Sequence, residues 1–416
     1  MCFERFLSMK KEWFYKYWSY AYYRLKLLSE QGSTVAFLNP ILIILLSCIG
    51  IAFMYAIQKG SDVVVLKWKM QVVWLCIGYA VYHVTSRFHY KLFFQNAHVF
   101  YLLSIVLLLL LWTPLGRTLG GSRRWLNLGF ITIQPSDFSK IATLLMIASV
   151  LTRTQWMYFK DSVKILLYVF FLCGIPFGLI FLQPDLGSAM VFPVIIFGVL
   201  FISKLSLRFF GYVFLTACLA LCVISLDTRA YYLKQKGETS FLKPFLPLKD
   251  YQRKRILAFA VPASVDPKGV NIGWHLKQSL IAIGSGGVFG KGWTKNTQAQ
   301  LGYLPKAASL DDFIFSVLAE ETGLFGTYFV LVLYFILIFN TLRIATMSRD
   351  RFGGYLCVGV ALLLFTHVWI NIGMTLGIMP ITGLPLPFLS YGGSFMLVCF
   401  FCQGLVQSVY RFRFAE

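Results

Sequence analysis

From Pro40 to the C-terminus the chain is a succession of apolar runs, each close to the ~20 residues that an α-helix needs to cross a ~30 Å hydrocarbon core. A helix satisfies its own backbone groups in lipid, so the runs point to an all-α, polytopic membrane protein; a β-barrel would show short alternating segments instead. Ten spans are expected, near residues 37–57, 68–84, 97–113, 136–152, 164–183, 186–203, 208–226, 312–341, 354–376 and 388–410. Of the 416 residues 58% are hydrophobic and only 13% charged, against ~25% charged in a soluble domain, which excludes a soluble fold. No small-residue cleavage site follows the first run, so the first span is expected to be retained.

The net charge of +21 sorts along these spans. With the N-terminus inside, the inner connections hold Arg87 and Lys91, then Arg153, Lys160 and Lys164, then Lys204 and Arg208, then Arg343, Arg349 and Arg351, and finally Arg411 and Arg413. All are basic, as the positive-inside rule requires, so both termini are expected in the cytoplasm. Residues 1–33, basic and rich in Trp and Tyr, read either as a segment lying on anionic headgroups or as a solvated tail, ahead of a single integral membrane domain over 34–412. Two outer segments are basic as well. One carries Arg117, Arg123 and Arg124; the other, the large extracytoplasmic loop 227–311, holds ten Lys and three Arg against five acids. Long loops cross regardless of charge, so the topology stands. Their basicity suits anionic membrane lipids or a membrane-bound pyrophosphate, with no nucleic acid implied.

Carboxylates in or beside spans are costly and therefore informative. Asp137 follows Gln134-Pro135-Ser136 and has Lys140 three residues on, which places the two on one helical face. Ser136 is a candidate cap there, with Pro135 just outside the first turn, and the pair reads either as a structural ion pair or as the lining of an outward-facing cavity. Asp185 separates two spans in Gln183-Pro184-Asp185-Leu186-Gly187-Ser188 and reads as a helix cap or a site carboxylate. Asp312, where the basic loop meets the membrane, is open to the same two readings, with adjacent Asp311 able to share either role. Glu320 and Glu321 point to different faces and are expected to bond to other helices. The glycine run Gly284 to Gly292 matches no nucleotide-binding spacing, but its N–H groups are candidates for an anion nest. Pro380 to Ser394 cannot be regular helix and is expected to form a cavity wall. His83, His89, His98, His275 and His367 are scattered, and Cys399 and Cys402 stand without a second pair, so no metal site is expected.

At these residues the chain closely resembles the SEDS family (shape, elongation, division and sporulation) over about residues 36–412. The resemblance rests on Gly121-Ser122-Arg123-Arg124-Trp125-Leu126, Gln134-Pro135-Ser136-Asp137, Gln183-Pro184-Asp185-Leu186-Gly187, Ala319-Glu320-Glu321-Thr322-Gly323 and Gly383-Leu384-Pro385-Leu386-Pro387 through Gly393, in family order. Tyr251-Gln252-Arg253-Lys254-Arg255-Ile256, Ile281 to Gly287, Gly290-Lys291-Gly292 and Thr297-Gln298 resemble the RodA elongation branch more than the FtsW division branch. The chain departs where the family shows Leu-Pro-Glu-x-His-Thr-Asp: Leu304 to Asp312 is two residues longer and lacks the Glu and His.

The resemblance implies a peptidoglycan glycosyltransferase of the bacterial cytoplasmic membrane that polymerises lipid II with inversion. The family's catalytic aspartate falls on Asp312, as general base, and Arg123, Arg124, Trp125, Asp137, Lys140, Gln183, Asp185, Gln298, Ser390 and Tyr391 are the implied substrate-binding residues. No cofactor is implied beyond a possible divalent cation. The implied partners are a class B penicillin-binding protein, which supplies transpeptidation, and the elongation machinery. A lipid II flippase and a noncatalytic scaffold are the alternatives; the flippase needs the same charged cavity without a base.

Overall fold

The computed structural model describes residues 34–59, 67–119, 122–127, 129, 132–154, 159–183, 185–203, 207–235, 244–246, 253, 256–257 and 273–414. The N-terminal segment and most of residues 236–272 lie outside them. Ten helices stand where ten spans are expected: α1 (Thr34–Gln58), α2 (Lys67–Arg87), α4 (Ala97–Leu110), α5 (Pro135–Arg153), α6 (Phe159–Leu182), α7 (Leu186–Ile202), α8 (Leu207–Gln235), α12 (Ile314–Met347), α13 (Arg351–Thr375) and α14 (Gly393–Arg411). Five of them are long and apolar enough to cross a membrane by length and composition alone, and α4 and α7 are shorter apolar helices. The remaining elements are short: α3 (Lys91–Gln95), α9 (Trp274–Gly286), α10 (Thr297–Gln300) and α11 (Lys306–Asp311).

One element departs from the all-α expectation. Three short strands, β1 (Gly116–Leu119), β2 (Ser122–Asn127) and β3 (Thr132–Ile133), form an antiparallel sheet. Arg117 faces Trp125 in its register. Strands of two to six residues leave too short an alternation to be read from sequence. α8 continues to Gln235 and so extends into the segment expected as the large loop. The second half of that segment is folded onto the bundle: Ser279 of α9 lies 2.7 Å from Ser316 of α12, hydroxyl to hydroxyl, and donates to the Thr375 carbonyl of α13 at 2.8 Å.

The core runs through α13, which is buried along most of its length against α5, α7, α12 and α14. Polar side chains lock the bundle where apolar packing alone is non-directional. Asn39 of α1 donates to Gln403 of α14 at 2.9 Å and accepts from Asn340 of α12 at 2.8 Å. Lys67, Gln134, Asp185, Asp312 and Gly383 gather at one end of the bundle, and Tyr90, Phe94 and Asp350 at the opposite end.

Helix starts follow local chemistry. At α5 the N-cap position falls on Gln134, with Pro135 inside the first turn, so the expected Ser136 cap is corrected: the fixed φ of proline suits N1. α12 is two helices fused at Gly323, whose φ of 65° is a left-handed conformation that glycine tolerates.

Candidate active site

Residues 380–392 cross the Asp312 end as extended chain and turns, and four of their carbonyls are held by side chains from other helices. His367 contacts the Pro385 carbonyl at 3.2 Å, and Asn371 donates to the Leu384 carbonyl at 2.7 Å. Tyr334 donates to Pro387 at 2.5 Å, and Gln71 to Ser390 at 3.1 Å. These bonds satisfy carbonyls that an irregular backbone leaves open.

Asp312 is the turn residue between α11 and α12. The N-cap of α12 is Phe313, without a side-chain cap, so Asp312 does not occupy the capping position. Its carbonyl accepts from Asn371 at 2.9 Å, and its carboxylate lies beside Gly383, where a Cβ would come to 3.3 Å from Oδ2. Asp312 remains half-buried, whereas adjacent Asp311 turns to Lys67 of α2 at 3.8 Å. Lys67 also lies 4.8 Å from the ring centroid of Tyr391, whose N–H donates to Leu310 at 3.0 Å. The two aspartates therefore have separate surroundings.

Asp185 caps α7 by accepting from Ser188 N at 3.2 Å, and the same carboxylate meets Gln134 at 3.2 Å and Arg124 at 3.7 Å. The capping reading therefore holds, and the same carboxylate has two polar neighbours besides its cap. Gln183 is buried and donates to the Leu108 carbonyl at 3.4 Å, while its own carbonyl accepts from Arg124. Arg123 is exposed but tied to Gly116 and Thr113 carbonyls at 2.9 and 2.8 Å, and Trp125 is half-buried.

Asp137 and Lys140 pair at 2.8 Å, yet they are only 3% and 2% exposed. Lys140 also donates to His367 Nε2 at 3.3 Å and lies 5.9 Å from the Phe395 ring centroid. The outward-facing lining is therefore corrected to an enclosed pair, shut off by α13 and α14. Because a carbonyl only accepts, His367 donates from Nδ1 to Pro385, which leaves Nε2 as the acceptor for Lys140. The ammonium is thereby connected through one imidazole to the wall beside Asp312.

Glu320 and Glu321, expected to bond to other helices, reach the connection after α9 and Thr297 at the start of the short helix α10. Glu320 accepts from Lys291 at 2.6 Å and from Thr297 N and Oγ1 at 2.9 and 2.5 Å, and Glu321 accepts from Asn296. In the glycine run the N–H groups of Gly290, Lys291 and Gly292 are spent on the carbonyls of Gly286, Glu320 and Glu321, so these three are not open to an anion. Gln298 belongs to this cluster, and Ser390 closes its own turn by accepting from Leu386 N at 2.8 Å. Sequence reading missed His367 and Asn371. Their spacing of four, continued by Thr375, puts a polar stripe on one face of an apolar helix, and that was the available signal. Among the described residues no three His, Cys, Asp or Glu side chains converge as metal ligands do.

Membrane-length helices packed around a satisfied, broken-backbone wall, with a half-buried carboxylate beside it, define a polytopic helical membrane protein with a polar site at one end of its bundle. Residues 33–414 match the family model described as Cell cycle protein, the FtsW, RodA and SpoVE type, and the chain belongs to that family. It is similar to the peptidoglycan glycosyltransferase MrdB of Escherichia coli K12, 36% identical over 355 residues that cover 85% of this chain and 88% of that one. The peptidoglycan glycosyltransferase RodA of Treponema pallidum is 32% identical over 419 residues, covering 88% and 94%. A chain in a solved structure on coordination of polymerization and crosslinking by a peptidoglycan synthase complex aligns with a TM-score of 0.68 at 27% identity, covering 90% of this chain and 98% of that one.

Proposed function

We propose that this protein is the lipid II polymerase of cell elongation, an inverting glycosyltransferase whose general base is Asp312. The observation that carries the reading is the placement of Asp312: half-buried, with its main chain fixed by Asn371 and its carboxylate beside Gly383, while Asp311 is engaged by Lys67. In the reaction the acceptor hydroxyl attacks the anomeric carbon of the donor, Asp312 takes the hydroxyl proton, and the bond to the lipid pyrophosphate breaks with its electron pair leaving on the phosphate oxygen. Arg123 and Arg124, at the same end of the bundle, are the cations assigned to the leaving group, and Lys67 lies close enough to Asp311 to join them. Asp137 and Lys140 act from beneath, through His367 and the wall. Gln183, Asp185, Trp125, Gln298, Ser390 and Tyr391 shape the remainder of the substrate surface.

The similarity to MrdB and RodA supports the elongation assignment, and the similarity to a chain of a synthase complex supports a class B penicillin-binding protein as partner. The charge pattern supports cytoplasmic termini, so that the Asp312 end faces outward from the cytoplasmic membrane. The test uses the protein purified with its partner in detergent and supplied with lipid II. The parent complex is expected to make glycan chains, and Asp312→Asn to bind lipid II with similar affinity and lose at least about 10²-fold in turnover. Detergent removes the two compartments, so flipping does not contribute. A parent without polymer, or an Asp312→Asn variant with near-normal synthesis while Asp311→Asn loses it, overturns the assignment. Depletion in cells separates the branches: rounding fits elongation, and filamentation fits division.

A further inference from the structure

At the end of the bundle opposite Asp312, α4, α5 and α6 part around a cavity of about 450 Å³. Arg153, in the last turn of α5, and Lys164, near the start of α6, line it together with His98, Ser149, Thr154 and Tyr168, and the rest of the wall is apolar. Arg153 stacks on the Phe94 ring at 4.8 Å and directs one N–H at the Phe94 carbonyl at 3.4 Å, which fixes the guanidinium while leaving most of its donors unused. Ser149 is 4% exposed and donates to the same carbonyl. Among the described residues neither Arg153 nor Lys164 pairs with a carboxylate, and no acid lines the cavity.

A second observation says what kind of anion fits. Leu102 and Val106 follow His98 at intervals of four on the same face of α4, and Leu167 and Phe171 follow Lys164 at three and seven on α6, all four exposed. They form an apolar stripe that leads from the basic cavity toward the middle of the membrane. A soluble phosphate would use only the cations. A lipid uses both, with its phosphodiester on Arg153 and Lys164 and an acyl chain along the stripe.

We propose that this cavity is a binding site for an anionic glycerophospholipid in the leaflet opposite Asp312. The site lies at the far end of α5 from Asp137, is separate from the polymerisation chemistry, and stands whether or not that reading does.

The purified protein with its partner is titrated in detergent with dioleoyl phosphatidylglycerol, dioleoyl phosphatidylcholine or glycerol 3-phosphate, and bound lipid is read by native mass spectrometry. Phosphatidylglycerol is expected to bind at least about tenfold more tightly than phosphatidylcholine. The double variant Arg153→Ala/Lys164→Ala is expected to weaken it about 20- to 30-fold, at about fivefold per cation near a membrane surface. Arg153→Lys should retain most of the affinity. Lys91→Ala/Arg411→Ala removes two exposed charges from the same end outside the cavity and should change little. Should the double variant fail to fold, Lys164→Gln, at an exposed position, carries the test with an expected loss of about fivefold. Equal retention of the two lipids, equal losses in the cavity and control variants, or unaltered binding in the cavity variant overturns the proposal. Displacement of the lipid by equimolar glycerol 3-phosphate also overturns it, since the stripe would then contribute nothing.

Discussion

Lys140 spends its ammonium protons on Asp137 and His367 in a part of the molecule that water does not reach. Removing either member of such a pair leaves a buried, uncompensated charge, at a cost of about 3–5 kcal/mol, whereas removing both restores neutrality. Lys140→Met alone should therefore lower thermal stability and glycan synthesis more than Asp137→Leu/Lys140→Met does. Strictly additive losses in a double-mutant cycle would show that the two residues are not coupled. Asn371 makes a different claim, since it fixes the Asp312 carbonyl and the Leu384 carbonyl with one amide. Asn371→Ala should reduce kcat about tenfold or more, from about 1–3 kcal/mol of lost positioning, while KM for lipid II changes little. A rise in KM at constant kcat would instead place Asn371 among the groups that hold substrate.

At the scale of elements, the break in α12 decides how the outer connection is held. At Gly323 the helix gives up its ladder, and the backbone groups freed at the break exchange bonds with residues 287–292: Leu324 N to Gly287 and Phe325 N to Val288, with Lys291 N returning to Glu320. A Cβ at Gly323 would meet Gly290 N and Val288 O at a φ already costly for any other residue, by about 1–2 kcal/mol. Gly323→Ala is expected to lower the unfolding temperature and to speed hydrogen exchange over 287–298, with exchange in α13 unchanged. Uniform acceleration throughout the chain would mean that the break is not a local clasp. The Glu-Glu pair and the glycine run were both visible in the sequence, as separate features. Their union was not, because the partners are about thirty residues apart and the intrahelical pattern of α12 continues through Gly323 without interruption.

Across the whole molecule, the charge on successive connections assigns Lys295 to the outside and Lys91 to the inside. In intact cells a membrane-impermeant thiol reagent should label Lys295→Cys above the background of the parent chain, and Lys91→Cys only after the cells are opened. The reverse order would invert the topology and place the lipid cavity in the other leaflet.

Ten spans were legible because hydrocarbon thickness fixes the length of every crossing helix whatever its neighbours, and the sorting of Lys and Arg adds direction. Asp312, Asp185 and the Asp137–Lys140 pair were visible for a related reason: charge beside lipid is expensive and therefore conspicuous. Which of them stays half-exposed and which is enclosed depended on helix rotation and on the path of residues 380–392, and sequence spacing carries neither. Tertiary structure closed His367 over Lys140, gave Asn371 two carbonyls far apart in the chain, and tied up three N–H groups of the glycine run that composition alone left open to an anion. The bilayer acts on each segment by itself, so its demands are written locally; hydrogen-bond satisfaction inside the bundle is a property of segments brought together, and only the folded chain settles it.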